Sequence, residues 1–286
     1  MKKRINKIID ILSERDLGIV PGSLAYSFFL AIIPILSLLF YFLTTFHLPM
    51  DTLMIFLNKT FPESVVEFIQ PVFTTDITTT SFITLWLSVI VMTNGCNAII
   101  RASNTIYGFE NAHILRRLIK SLILAIILVL LIAFLLIVPL FGRSIINLIG
   151  EFTSFIANNQ QFIDTIYTIL QIPVSLLFLF IIIKLIYFIA PDEKVSIKYV
   201  NKGAIFTSIT WLIATILFSY YINHIARFDL VYGNLATIVV LLFYFYILAY
   251  VFVIGLFINR DNASKGIEKT NTIKLEEIRK KVKENK

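Results

Sequence analysis

The sequence predicts an all-α, polytopic membrane protein with six transmembrane helices and both termini in the cytoplasm. Hydrophobic residues make up 58% of the 286-residue chain and charged residues only 15%, a balance that ordinary soluble domains do not show. The charges are also segregated. Charge-free runs lie between Asp16 and Asp51, Asp76 and Arg101, Lys120 and Arg143, Asp164 and Lys184, Lys202 and Arg227, and Asp229 and Arg260. Each run holds the roughly 20 residues that carry a helix across a hydrocarbon core. They are continuous rather than ten-residue alternations, which excludes a β-barrel.

The spans are therefore placed near 23–46, 80–100, 119–141, 167–189, 203–225 and 231–258, within a transmembrane domain covering 23–259. Before it, residues 1–22 form a basic arm in which Ile5, Ile8, Ile9 and Leu12 recur at helical spacing opposite lysines. That pattern fits either a helix lying on the inner surface or a solvated arm that fixes orientation. The first apolar run is too long for a signal-peptide core and shows no small-residue cleavage site, so it is expected to be retained.

Orientation follows from lysine and arginine. The arm holds Lys2, Lys3, Arg4, Lys7 and Arg15; the second–third loop holds Arg101, Arg116, Arg117 and Lys120; the fourth–fifth loop holds Lys194, Lys198 and Lys202. The tail, 260–286, adds nine more, whereas the alternate loops hold only Lys59, Arg143 and Arg227. The basic side is the cytoplasmic one. A net charge of +7 is then accounted for by cations facing anionic inner-leaflet lipid, the expected partner, without invoking nucleic acid.

Between the spans, the outer loop 47–79 repeats apolar residues at helical intervals from Leu53 to Val72, interrupted by Pro62 and Pro71. The second outer loop, 142–166, does the same from Ile145 to Ile156, and both read as interfacial or capping pieces. "HIARFDLVYGN" is a tight turn that makes the last two spans an antiparallel hairpin. Pro34 falls within the first span and favours a kink by removing the amide partner of the Leu30 carbonyl. Pro139 and Pro173 sit near outer ends and read as terminators.

The most informative stretch is "TNGCNAIIRASNTIYGF". At about 100° per residue, Asn94, Asn97, Arg101 and Asn104 fall within an arc of about 80° on the second span. Counted from Thr80, Asn94 lies about 21 Å into a core about 30 Å thick, and Arg101 lies at the inner boundary. Two readings stay open. The amides and guanidinium line a solute path, with Arg101 holding a phosphate or carboxylate; or the asparagines bond across a helix seam while Arg101 reaches headgroups. Tyr26 and Pro34 of the first span, among small residues such as Ser23 and Ser27, are candidates for the same path or for close packing. Lys184 either extends toward the inner interface or joins Arg101 in binding an anion.

Four segments resemble one family. "PGSLAYSFFLAIIPILSLLF", "LWLSVIVMTNGCNAIIRASNTIYGFE", "IYFIAPDEKVSIKYVNKGAIFTSITWL" and "YGNLATIVVLLFYFYILAYVFVIGLFIN" are similar, in order, to the YihY/BrkB membrane family. The resemblance covers roughly 1–260 and implies a bacterial inner-membrane protein with six spans and both termini inside. It also implies a misassigned label, ribonuclease BN, and a suggested role in moving lipid-like or amphiphilic solutes. Many members close the last span with Gly-Ala-Glu-Leu-Asn; this chain has Gly255, Leu256, Phe257, Ile258 and Asn259, so Phe257 stands where the acid would be.

Enzyme chemistry finds little to work with. His47, His113 and His224 fall in separate segments, no metal-ligand spacing or nucleophile motif appears, and the single cysteine, Cys96, lies within the second span. No cofactor is expected. The sequence points to a transporter or flippase-like protein for an anionic amphiphile or lipid-linked solute. The alternative is a non-transporting scaffold for envelope assembly, and ribonuclease activity is third.

Overall fold

The computed structural model describes residues 15–45, 81–131, 160–224 and 232–284, with isolated positions at 54, 58, 66 and 70. The described residues are helical and contain no strand. The helices are α1 (Arg15–Thr45), α2 (Ser81–Tyr107), α3 (114–131), α4 (Gln160–Ile189), α5 (Asn201–His224) and α6 (Ala236–Glu284). A 3₁₀ turn, Gly233–Leu235, leads into α6.

Every predicted span has a helix, so the helical membrane fold is the one expected. By length and composition, Gly18–Ser37, Asn201–Ile222 and Ala236–Ala263 qualify as membrane spans among the described residues, with Pro173–Ile189 a shorter apolar helix. The N-terminal arm up to residue 14, most of the loop 47–79, the stretch 132–159 with Pro139, and the outer turn 225–231 with Arg227 and Asp229 lie outside the described residues.

Two helices overrun the domain limits read from the sequence. α1 begins at Arg15, before residue 23, and α6 runs unbroken from the last span through the charged tail to Glu284. Pro173 does not terminate a helix; α4 starts at Gln160 and carries the proline inside it. α1 likewise continues through both Pro21 and Pro34.

α6 is the mast of the bundle. It packs against α1, α2 and α5, while α1 also lies along α2 and α4 along α5. Half of its spanning stretch is buried, against 17% for α5, which stands at the rim with Ile205, Ile209, Ile213 and Leu217 exposed. Phe252 of α6 is the aromatic hub, with ring centroids 4.7 Å from Tyr187, 6.4 Å from Trp211 and 6.5 Å from Phe28.

The α5–α6 contact is a ladder of hydrogen bonds backed by glycine. Gly203 N–H donates to Asn259 Oδ1 (2.8 Å), and Trp211 Nε1 donates to the Leu248 carbonyl (2.9 Å). Thr207 shares a 2.7 Å bond with Tyr187 Oη, which also donates to the Phe252 carbonyl, and Thr215 pairs with Tyr244 Oη at 2.9 Å. Positions 203, 207, 211 and 215 repeat every four residues along α5; Asn259, Leu248 and Tyr244, the partners of 203, 211 and 215, descend along α6 as antiparallel packing requires, while Thr207 reaches Tyr187 of α4, whose hydroxyl in turn donates to the Phe252 carbonyl of α6. A Cβ on Gly255 would collide with Tyr187 Oη and Thr207 Oγ1, and one on Gly203 with the Gly255 carbonyl and the Asn259 amide. Small residues here let two backbones close on each other, as in other membrane helix pairs.

Candidate functional site

α2 carries the polar stripe and ends sharply. Gly108 has φ +73°, its N–H bonds the Thr105 carbonyl (3.2 Å), and the Phe109 N–H bonds the Asn104 carbonyl (2.9 Å). This is a Schellman stop, and it needs glycine at the left-handed position. It places Asn104 in the last turn of α2, facing the loops on the side assigned to the cytoplasm.

The stripe is not uniform. Taking Asn94 as the origin, Arg101 lies about 20° away, Asn97 about 60° and Asn104 about 80°, all to the same side. Exposure falls in that order of angle. Asn94 and Arg101 are exposed, Asn97 is half-buried, and Asn104 is fully buried. One edge of the stripe faces out of the bundle and the other faces in.

The inward edge is occupied by a residue the sequence reading passed over. Asp192, just after the Pro191 that ends α4, has a side chain only 6% exposed. Asn104 Nδ2 and the Ala112 N–H donate to its Oδ2 at 2.6 and 3.0 Å, and Lys120 Nζ lies 3.1 Å from its Oδ1. In return the Asp192 N–H donates to Asn104 Oδ1 at 2.8 Å, and Lys120 also donates to the Pro191 carbonyl. One carboxylate thus fastens the end of α2, the loop 108–113, the first turns of α3 and the α4–α5 connection. Burial pushes the Asp192 carboxyl upward, but the Ala112 N–H, the Lys120 ammonium and the Asn104 amide outweigh it. Its pKa lies below the ordinary carboxylate value.

The sequence offered one signal for this clamp. Asp192 follows a helix-ending proline in a loop otherwise rich in lysine, but its partners lie 72 to 88 residues away.

The outward edge has no such partners. Among the described residues, neither Asn94 nor Arg101 makes a hydrogen bond or ion pair, and Asn97 Oδ1 is buried and unpaired. Leu87 and Ile90, two and one turns outward from Asn94, are 57% and 54% exposed. The same open face of α2 is therefore apolar toward its outer half and polar toward its inner half. Tyr26 of α1 is 60% exposed, close to where α1 crosses α2; a Cβ on Gly95 would come within 2.9 Å of Ala31 Cβ and 3.5 Å of the Ser27 carbonyl.

Two other candidates are placed elsewhere. Pro34 is buried within α1. The Lys184 ammonium sits 5.6 Å from the centroid of Phe180, the preceding turn of α4, so the stem runs toward the helix N-terminus rather than toward the inner interface. Phe257, where the resemblance leads one to look for an acid, is fully buried with the Arg260 guanidinium 4.7 Å from its ring centroid. Among the described residues, no three of His, Cys, Asp or Glu gather as a metal-ligating group.

Comparison with known proteins agrees with the resemblance. The family profile described as Virulence factor BrkB matches residues 8–273. A Bacillus subtilis protein named "Putative ribonuclease-like protein YfkH" is 30% identical over 242 residues, which cover 82% of this chain and 86% of that one. A UPF0761 membrane protein of Pseudoalteromonas translucida is 29% identical over 93 residues, 32% of this chain and 31% of that one. A second, from Idiomarina loihiensis, is 28% identical over 109 residues, 36% and 38% of the two chains. No solved structure matches.

Proposed function

The chain belongs to the virulence factor BrkB family of membrane proteins, and from that premise we propose a multi-pass transporter or flippase-like protein of the bacterial inner membrane. Its cargo is an anionic amphiphile or lipid-linked solute. The observation that carries this reading is the open face of α2. An Arg101 guanidinium with no partner among the described residues lies on the same side as Asn94, below the exposed Leu87 and Ile90. A guanidinium fork suits phosphate or carboxylate, and an apolar strip above it suits a hydrocarbon chain. Asn97 of α2 and the exposed Tyr26 of α1 are further polar candidates on the two helices. Asn104 and Lys184 leave the lining set, because Asp192 and Phe180 already engage them.

Native mass spectrometry of the gently purified chain tests the reading. The native protein should retain an anionic lipid, and Arg101→Ala should lower that retention roughly tenfold, as expected for one lost charge-assisted contact. Equal retention by Arg101→Ala at an unchanged thermal midpoint would sink it.

The same two engaged residues favour a second reading, a non-transporting scaffold whose polar groups serve packing alone. On that reading Arg101→Ala changes nothing but local lipid contact. Ribonuclease activity, raised by the name of the Bacillus subtilis relative, would require RNA cleavage by the purified chain.

A further inference from the structure

α5 has two faces of opposite character. At about 100° per residue, the seam positions Gly203, Thr207, Trp211 and Thr215 gather on one side of the helix. About 180° from the centre of that side, Lys202, Ile205, Ile209, Ile213, Ile216 and Tyr220 fall within an arc of about 80°. The four isoleucines are between 44% and 59% exposed, and Lys202 and Tyr220, at the two ends of the stripe, are exposed as well.

Length, ends and composition each say what covers this stripe. Lys202 and Tyr220 are 18 residues apart, about 27 Å along the axis, against a hydrocarbon core about 30 Å thick. An ammonium on a long stem and a phenol are the groups that settle at the two edges of such a core. The Lys202 ammonium donates to Asn262 Oδ1 at 3.2 Å, a neutral partner that leaves its charge available to a phosphate. At the other end the Tyr220 ring stacks on the exposed ring of His224, centroids 4.6 Å apart. Between those ends, every Gly, Ala, Ser and Thr of α5 lies off the arc. Membrane helices meet each other on small residues, as the seam with α6 does at Gly203 and Gly255. A row of isoleucines holds another backbone away, so acyl chains fit this face and a second copy of the chain does not.

We infer that the stripe is a lipid-facing surface with its inner boundary at Lys202 and its outer boundary at Tyr220. Acyl chains lie against the isoleucines, and a phospholipid phosphate sits at Lys202. The bilayer midplane then falls near residue 211, at the level where Trp211 Nε1 donates to the Leu248 carbonyl. This assignment rests on the helical membrane fold and not on the transport reading. It gives one face of α5 to the bilayer and the other to α4 and α6.

Nitroxide scanning of the full-length chain tests the surface and its register together. In a Cys96→Ala background, single cysteines replace Ile205, Ile209, Ile213, Ile216 and Tyr220, all of them exposed. Each carries a spin label in phosphatidylcholine vesicles containing phosphatidylglycerol. Oxygen concentrates in hydrocarbon and a nickel chelate in water, so the ratio of their collision rates with the label reports depth. The ratio should peak between 209 and 213 and fall toward both 205 and 220. A ratio that climbs steadily to one end overturns the boundaries. Frequent nickel collisions along the whole stripe would mean a water-filled path, and low oxygen access with spin–spin broadening would mean a second copy on this face. Either overturns the inference, while the Arg101 lipid-retention test stands unaffected. With five positions, a variant that fails to reach the membrane leaves the profile defined by the others.

Discussion

Along α5, Gly203, Thr207, Trp211 and Thr215 each bond across to a neighbouring helix; along α2, Asn94, Asn97 and Arg101, at similar spacing, bond to nothing among the described residues. Both rows are polar groups on membrane helices at intervals of three or four residues. The first is closed by design of its partners. Gly203 and Gly255 remove the bulk that would hold the backbones apart, so short hydroxyls and an amide reach across. The second row has a glycine too, Gly95, but it faces α1, about 100° round the helix from Asn94. Polar residues in a membrane helix thus divide by where the neighbouring glycine points. Where it lies on the polar face, as at Gly203, the helices close and the groups are spent on packing; where it lies aside, as at Gly95, the groups keep no partner among the described residues.

The largest effect expected from this comparison is at Gly255. Gly255→Val drives carbon into Tyr187 Oη and Thr207 Oγ1, and overpacking of this kind costs about 1–3 kcal/mol or more. Thermal unfolding in detergent should show a fall of many degrees or no folded protein, whereas Gly108→Ala, strained only by its φ of +73°, should fold with a smaller loss. A tolerated valine at 255 would mean that the α4–α5–α6 junction is looser than its hydrogen bonds describe. Next comes Tyr187→Phe, which leaves Thr207 Oγ1 and the Phe252 carbonyl without their partner in a buried site. The expected cost is about 1–3 kcal/mol, read from the same transition.

The two rows were unequally legible in the sequence. Helix positions followed from charge-free runs, because crossing a hydrocarbon core leaves few alternatives for an uncharged segment of that length. The α5–α6 pairing followed from the short turn between them. What it did not reveal was which face of each helix meets a neighbour. Arg101 and Asn104 differ by about 60° on a helix wheel, yet one is exposed and the other is fully buried. That difference is set by Asp192, 88 residues from Asn104, and no local pattern encodes it. Lys184 was unreadable for a related reason. Its stem has two directions available, and the ring of Phe180 selects the one that spacing alone does not favour. Gly108, by contrast, carried a local signal for the end of α2, since a left-handed stop depends on adjacent residues alone, but the second span was placed to end near 100 and the helix runs on to Tyr107.

A smaller effect is expected from pH. The Asp192 pKa is depressed in the folded chain, so its stabilising contribution is full above the ordinary carboxylate range and is lost as pH falls through the lower folded value. The difference in thermal midpoint between the native chain and Asp192→Asn should therefore stay flat from pH 8 to about 5 and shrink only in stronger acid. A difference that changes near neutrality would assign the pH dependence to a group other than Asp192.

The smallest expected effect separates the two rows most directly. Asn94 is exposed and bonds to no described residue, so Asn94→Leu should shift stability by no more than about 0.5 kcal/mol. Thr207→Val, a change of similar kind in the seam, removes a partner of a fully buried Tyr187 Oη and should cost about 1 kcal/mol or more. Thermal midpoints of the two variants measure the contrast, and native mass spectrometry of Asn94→Leu supplies its functional side. If α2 presents an open face, Asn94→Leu keeps the midpoint and loses bound anionic lipid. A destabilised Asn94→Leu would instead place Asn94 in a seam, closed by a second copy of the chain or by residues outside those described. Arg101 would then be left as the face's lone polar contact with the bilayer.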